Sequence, residues 1–178
     1  MVQPGGKKLD TDAEIGALIT ALADPAIDKR HEAVSALQVI GAPAVAPLIA
    51  GIAEAQDNDR RWYAAVALAK IGKPAVDPLV AAMREHTGRD FRRYAAAALG
   101  EIGGPAIESL IEGMASEDRE LRGFFSQALC RIGAPAVEPL TRRLGDANEI
   151  LRSCASLTLW QMGETGLPSM VEKMHKDS

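Results

Sequence analysis

Apolar positions along the chain follow two alternating helical registers. The first reads i, i+4, i+7: Ala33, Leu37 and Ile40, then Ala64, Leu68 and Ile71, then Ala95, Leu99 and Ile102. That is the spacing of one buried helix face. The second reads Val45, Leu48, Ile49 and Ile52, echoed by Val76, Leu79, Val80 and Met83 and by Ile107, Leu110, Ile111 and Met114. Between the two registers an apolar residue precedes glycine, at Ile40-Gly41, Ile71-Gly72, Ile102-Gly103, Ile132-Gly133 and Met162-Gly163, with spacings of 31, 31, 30 and 30 residues. A leucine stands three residues before each apolar landmark: Leu37, Leu68, Leu99, Leu129 and Leu159. A fixed period of this length predicts stacked units of two helices each.

Punctuation supports the same division. Asp24, Asp57, Thr87, Ser116 and Asp146 stand where each first helix should begin, as residues able to accept from free backbone N–H groups, with Pro25 in the first turn of the first. Glycine then ends the first helix, and Pro43, Pro74, Pro105 or Pro135 starts the second two residues on. A further proline at Pro47, Pro78 and Pro139, replaced by Ser109 in the third unit, predicts a small kink or a delayed start.

Residues 12–23 carry Ile15, Leu18, Ile19 and Leu22 at second-helix spacing with no first helix before them, which predicts a capping half-repeat. At the other end Leu167, Met170, Val171 and Met174 repeat the second-helix stripe. The expected organisation is a flexible tail at 1–8 and a single domain at 9–178. That domain holds a cap helix at 12–23 and units at about 24–54, 55–85, 86–115, 116–145 and 146–174.

Composition changes this picture little. Aromatics are 4% of the chain and alanine is abundant, which suits closely packed helices rather than a sheet. A net charge of −4 with mixed signs argues against affinity built on neutralised phosphates, so no nucleic acid is expected as partner. No run of 18 apolar residues occurs, so no membrane partner is expected either. Cys130 and Cys154, 24 residues apart, read as small hydrophobes in a reducing, cytoplasmic setting.

The fourth unit runs from Leu121-Arg122 through Ala128-Leu129, Ile132-Gly133, Pro135-Ala136-Val137 and Pro139-Leu140. So written, it resembles the short HEAT-like repeat first described in phycobilisome lyases, and the resemblance spans about residues 12–174. It implies an all-α fold, a right-handed α-solenoid of about five two-helix repeats with an N-terminal half-repeat cap. Bilin lyases and adaptors share this repeat, so it specifies fold far better than activity. The resemblance also implies a stacking role for the arginine at one register in every unit, Arg30, Arg61, Arg92, Arg122 and Arg152, bonded to acids or carbonyls of adjacent repeats. His31-Glu32 resembles the His-Glu pairs with which HEAT-like deoxyhypusine hydroxylases hold two irons. The matching positions here are Trp62-Tyr63, Arg93-Tyr94, Gly123-Phe124 and Ser153-Cys154, so no metal set is expected. No positioned nucleophile and base, phosphate loop, CxxC or HExxH is present, so no catalytic residue and no cofactor is expected.

The remaining candidates are surfaces. Tyr63, Tyr94 and Phe124 fall at one register of successive units, beside Trp62 and Phe125, either as seam packing or as a contact stripe. On the second helices, expected to line a concave face, Asp77, Glu108, Glu112 and Glu138 give way to Arg142 and Arg143, a gradient that could orient a peptide of mixed charge. The expected function is a non-catalytic scaffold for a protein or peptide, monomeric or weakly dimeric. The alternatives are a bilin lyase-like chromophore handler or a subunit that modulates an enzyme complex.

Overall fold

The structure, a computed structural model, describes residues 5–176 and, of their side chains, those of residues 11–172. Helix α1 (Gly5–Ala21) is followed by five pairs: α2 (Ile27–Ile40) with α3 (Val45–Glu54), α4 (Asn58–Ile71) with α5 (Val76–Glu85), α6 (Arg89–Ile102) with α7 (Ile107–Gly113), α8 (Arg119–Ile132) with α9 (Val137–Arg142), and α10 (Glu149–Gln161) with α11 (Leu167–Lys176). No strand occurs among the described residues. First helices stack on first helices, α2 to α4 to α6 to α8 to α10, while second helices form a parallel row behind them. The result is an all-α solenoid two layers thick.

The core is a pair of leucine columns. Leu37, Leu68, Leu99, Leu129 and Leu159 line one, Leu48, Leu79, Leu110 and Leu140 the other, and every one of them is 0% exposed. Each leucine is useful only when the next unit covers it, which is why the array is cooperative. Small residues set the layer spacing: Ala64, Ala67, Ala95 and Ala98 are buried between adjacent first helices. Phe125 occupies the register of Ala64 and Ala95 and is fully buried. Gly113, at the end of α7, makes room for it, since a Cβ there would lie 2.6 Å from the Phe125 ring.

The turn within each pair has one geometry. Gly41, Gly72, Gly103 and Gly133 adopt φ of 73°, 79°, 75° and 75°, with ψ near the extended range, a region closed to residues with a Cβ. Each glycine N–H still bonds the carbonyl four residues back, at Leu37, Leu68, Leu99 and Leu129. A single 3-10 turn containing the first proline follows, and its last alanine (Ala44, Ala75, Ala106 or Ala136) is fully buried. The second proline then falls in the first turn of the α-helix, where its missing N–H would have had no partner. The start is delayed through the 3-10 turn.

Two expectations about helix boundaries and one about a buried stripe need correction. Helix α1 begins at Gly5, so the expected tail overlaps it and only residues 1–4 of that tail lie outside the described residues. Once Ile15, Ile19 and Leu22 are docked, each upstream residue adds a backbone bond without needing an apolar stripe of its own. Only Asp57 caps its helix as expected, accepting from Arg60 N–H at 2.7 Å. Asp24, Ser116 and Asp146 instead accept from the N–H two residues on, forming a tight turn that precedes the helix. Asp118 and Asn148 cap α8 and α10, and Ala26 and Gly88 stand at the starts of α2 and α6 without a side-chain bond. Finally, Val171 is 46% exposed, off the buried stripe, and the side chain of Met174 lies outside the described residues.

Candidate functional site

The repeated arginine is a structural rung. Arg61, Arg92, Arg122 and Arg152 each donate to the carbonyl six residues back, at Ala55, His86 (2.9 Å), Ser116 (2.7 Å) and Asp146 (2.7 Å). These are carbonyls of the loop between units, left unpaired by the preceding helix end. Three rungs also reach forward to a carboxylate of the next unit: Arg30 to Asp59 at 3.0 Å, Arg61 to Asp90 at 3.8 Å, and Arg92 to Asp118 at 2.7 Å. Arg92, 2% exposed, also donates to the Met83 carbonyl at 3.1 Å. Asp118 is held below its ordinary pKa, first by the Leu121 N–H it caps and then by Arg92.

The aromatic register divides. Phe124 is buried at 6% exposed and Phe125 completely, so both serve packing and Phe124 leaves the set of contact candidates. Tyr63 and Tyr94 are half-buried under cations, with the Arg30 guanidinium 4.9 Å from one ring centroid and the Arg93 guanidinium 5.0 Å from the other. His31 lies against Tyr63 with ring centroids 5.8 Å apart. His31 and Glu32 are exposed, and among the described residues no cluster of three His, Cys, Asp or Glu is placed to hold a metal ion. His175 lies outside the described side chains. Cys130 and Cys154 are free and half-buried, and burial pushes both thiols up, away from the thiolate a nucleophile needs.

On the second-helix face the predicted charges meet one another. Glu108 bonds Arg142 at 3.5 Å and Arg143 at 3.2 Å, Arg142 also meets Glu138 at 3.3 Å, and Arg143 meets Asp146 at 3.5 Å. Asp77 accepts from the Ser109 hydroxyl at 3.0 Å. Glu112 stands exposed beside them. What reads as a gradient from acid to base is thus largely cancelled by contacts between adjacent units. Glu108, Glu138, Arg142 and Arg143 are brought together, but as partners of each other, while Asp77 and Glu112 stand outside that set.

The outer face of the first helices is different: of its residues the sequence singled out Trp62, beside the aromatic register, but not Leu157, Trp160 or the concavity between α4 and α6. Trp62 is 46% exposed on α4, and Leu157 and Trp160 are 59% and 64% exposed on α10. Between α4 and α6 lies an open groove of about 370 Å³, floored by Ala65, Val66, Ala69, Ala97 and Ala98 and walled by Trp62 and Lys70. Arg131 closes it from α8, where Glu101 holds its guanidinium at 2.5 Å. Gly100 lets that side chain lie across α6, since a Cβ would sit 2.7 Å from Arg131 Cδ. The signal was present in the alignment of units, where Trp62 and the small pair Ala69 and Gly100 fall on one outward stripe; it needed side-chain placement to become a groove.

Among the described residues no single helix is long and apolar enough to cross a membrane. The family model for HEAT repeats matches residues 15–100 and 46–123. Among solved structures, the chain is similar to the complex of CpcE and CpcF of phycocyanin lyase from Nostoc sp. PCC7120, at 24% identity over 82% of this chain and 98% of that one, with a TM-score of 0.44. It is also similar to an engineered protein of the Northeast Structural Genomics Consortium, at 20% identity over 91% of this chain and 85% of that one, with a TM-score of 0.34. No curated protein matches the chain.

Proposed function

The chain belongs to the HEAT-repeat family, and from that premise we propose that it is a non-catalytic scaffold holding a protein or peptide partner on the outer face of its first helices. One observation carries the reading. Three of its large apolar side chains, Trp62, Leu157 and Trp160, stand exposed on that single face, the first of them beside an apolar concavity. Isolated apolar residues are ordinary on a protein surface, but an exposed tryptophan that walls an apolar concavity is what a partner desolvates. The second-helix face supports less, because Glu108, Glu138, Arg142 and Arg143 are already satisfied by each other, and a partner would have to displace those pairs.

The test is photocrosslinking in cells of the source organism, with benzoylphenylalanine placed at Val66 in the groove or at Ala81 on the exposed side of α5. A discrete adduct from Val66 and none from Ala81 is expected. An adduct from Ala81 alone, or from neither position, overturns the assignment of the face.

A further inference from the structure

Resting on that scaffold reading, we infer that the groove over α4, α6 and α8 takes an acidic amphipathic helix of the partner. Shape and apolarity come first. The floor of Val66, Ala69 and Ala97 lies beside the exposed Trp62 ring, space for one aromatic or leucine side chain to anchor.

Charge supplies the second half of the argument. Lys70 and Arg131 face only Glu101 in the groove, and where α6 and α8 begin Arg89, Arg93 and Arg119 face only Asp90 and Glu120, in a chain whose net charge is −4. Arg131 is held by Glu101, Arg93 by Asp90 at 3.1 Å and Arg89 by Glu120 at 3.9 Å. Among the described residues Lys70 and Arg119 have no ion pair, so their fields are the ones open to a partner. A segment with a carboxylate beside its anchor gains from Lys70, and one running diagonally on to the start of α8 gains from Arg119 as well, whereas a basic segment gains from neither.

The backbone decides the conformation. Every element here is a helix whose main chain is bonded internally, so an extended peptide would find no sheet edge to pair with. A helix satisfies its own main chain. First helices packed about 8 to 10 Å apart make the span from α4 to α8 about 20 Å, the length of roughly 13 helical residues.

The experiment pans a phage-displayed library of random 16-residue peptides against the full chain at low salt. Enriched peptides are then measured against wild type, Ala97→Trp, which fills the groove, and the double reversal Lys70→Glu with Arg119→Glu, each checked for unchanged helical circular dichroism. Enrichment of sequences with acids around apolar residues at i, i+3 or i+4 is expected, with binding weakened about tenfold or more by either variant. Enriched peptides that are basic or uncharged, binding indifferent to both variants, or no enrichment overturns the inference. So does self-association, seen by sedimentation, that Ala97→Trp abolishes, because a second copy would then be the occupant. An adduct at Val66 whose crosslinked partner segment is neither acidic nor helical leaves the scaffold reading standing and sinks this one.

Discussion

The two layers of this solenoid use charge in opposite ways. In the first-helix layer guanidinium groups are sunk into the stack and bonded to main-chain carbonyls, as Arg92 is to Met83 and His86. In the second-helix layer the charges of Glu108, Glu138 and Arg142 meet at the surface, more than half exposed, and hold nothing but one another. The first kind fixes the path of the chain between units, because a carbonyl has one place and its loss leaves a buried acceptor. The second kind is exchangeable with water. The layer that carries the fixed charges is also the one that leaves tryptophans bare, so architecture and exposed contact surface share the same helices.

Substitutions can sharpen or break this contrast. The largest effect is expected at Phe125→Ala in the first layer, about 3 to 5 kcal/mol by denaturant unfolding, because the ring fills a full alanine register. Gly113→Ala should cost about 1 to 3 kcal/mol alone, and the double variant should lose less than the two singles together, since the added methyl enters space the ring has left. Next comes Arg92→Met, expected to cost about 2 to 3 kcal/mol through two orphaned carbonyls and a widowed Asp118. If Arg142→Ala on the second layer costs as much, the distinction between the layers fails. It should instead cost under about 1 kcal/mol and fade with salt.

Acid offers a finer probe. The Asp118 carboxyl titrates below its ordinary value, because the Leu121 N–H and Arg92 bond its charged form. Its contribution is therefore complete above the unfolded value, near about pH 4, and is lost as pH falls through the lower folded value. Thermal melts of wild type should show that loss in this acid window, and Asp118→Asn should flatten it. The smallest effect is expected at His31→Ala, under about 0.5 kcal/mol, because that ring sits on the surface against Tyr63.

The period was legible because glycine and leucine recur for reasons internal to a single unit: Gly41, Gly72, Gly103 and Gly133 take a backbone conformation that other residues cannot. Helix starts were less so, since Asp24 and Asp146 form the turn before the helix and their sequence signature is the same as that of a cap. The pairing of Glu108 with Arg142 and Arg143, some 34 residues away, depends on which side chains two units bring together, and a linear reading sees only acid followed by base. The same holds for Phe125 and Gly113. An aromatic at an alanine register announces a hole elsewhere without saying where. The groove beside Trp62 was hidden for a related reason, because it is made by the absence of side chains on a neighbouring helix.

The arginine rungs give the array a graded compliance. Four look backward to a loop carbonyl, and three look forward to a carboxylate that salt can screen. The forward contact is shortest from Arg92 to Asp118, longer from Arg61 to Asp90, and among the described residues missing after Arg122, where Asn148 stands at the register of Asp118 and Ile150 at that of Asp90 and Glu120. Salt should therefore loosen the junctions spanned by Arg30, Arg61 and Arg92 and leave the junction after Arg122 unchanged, which makes the ionic-strength response of the rod uneven along its length.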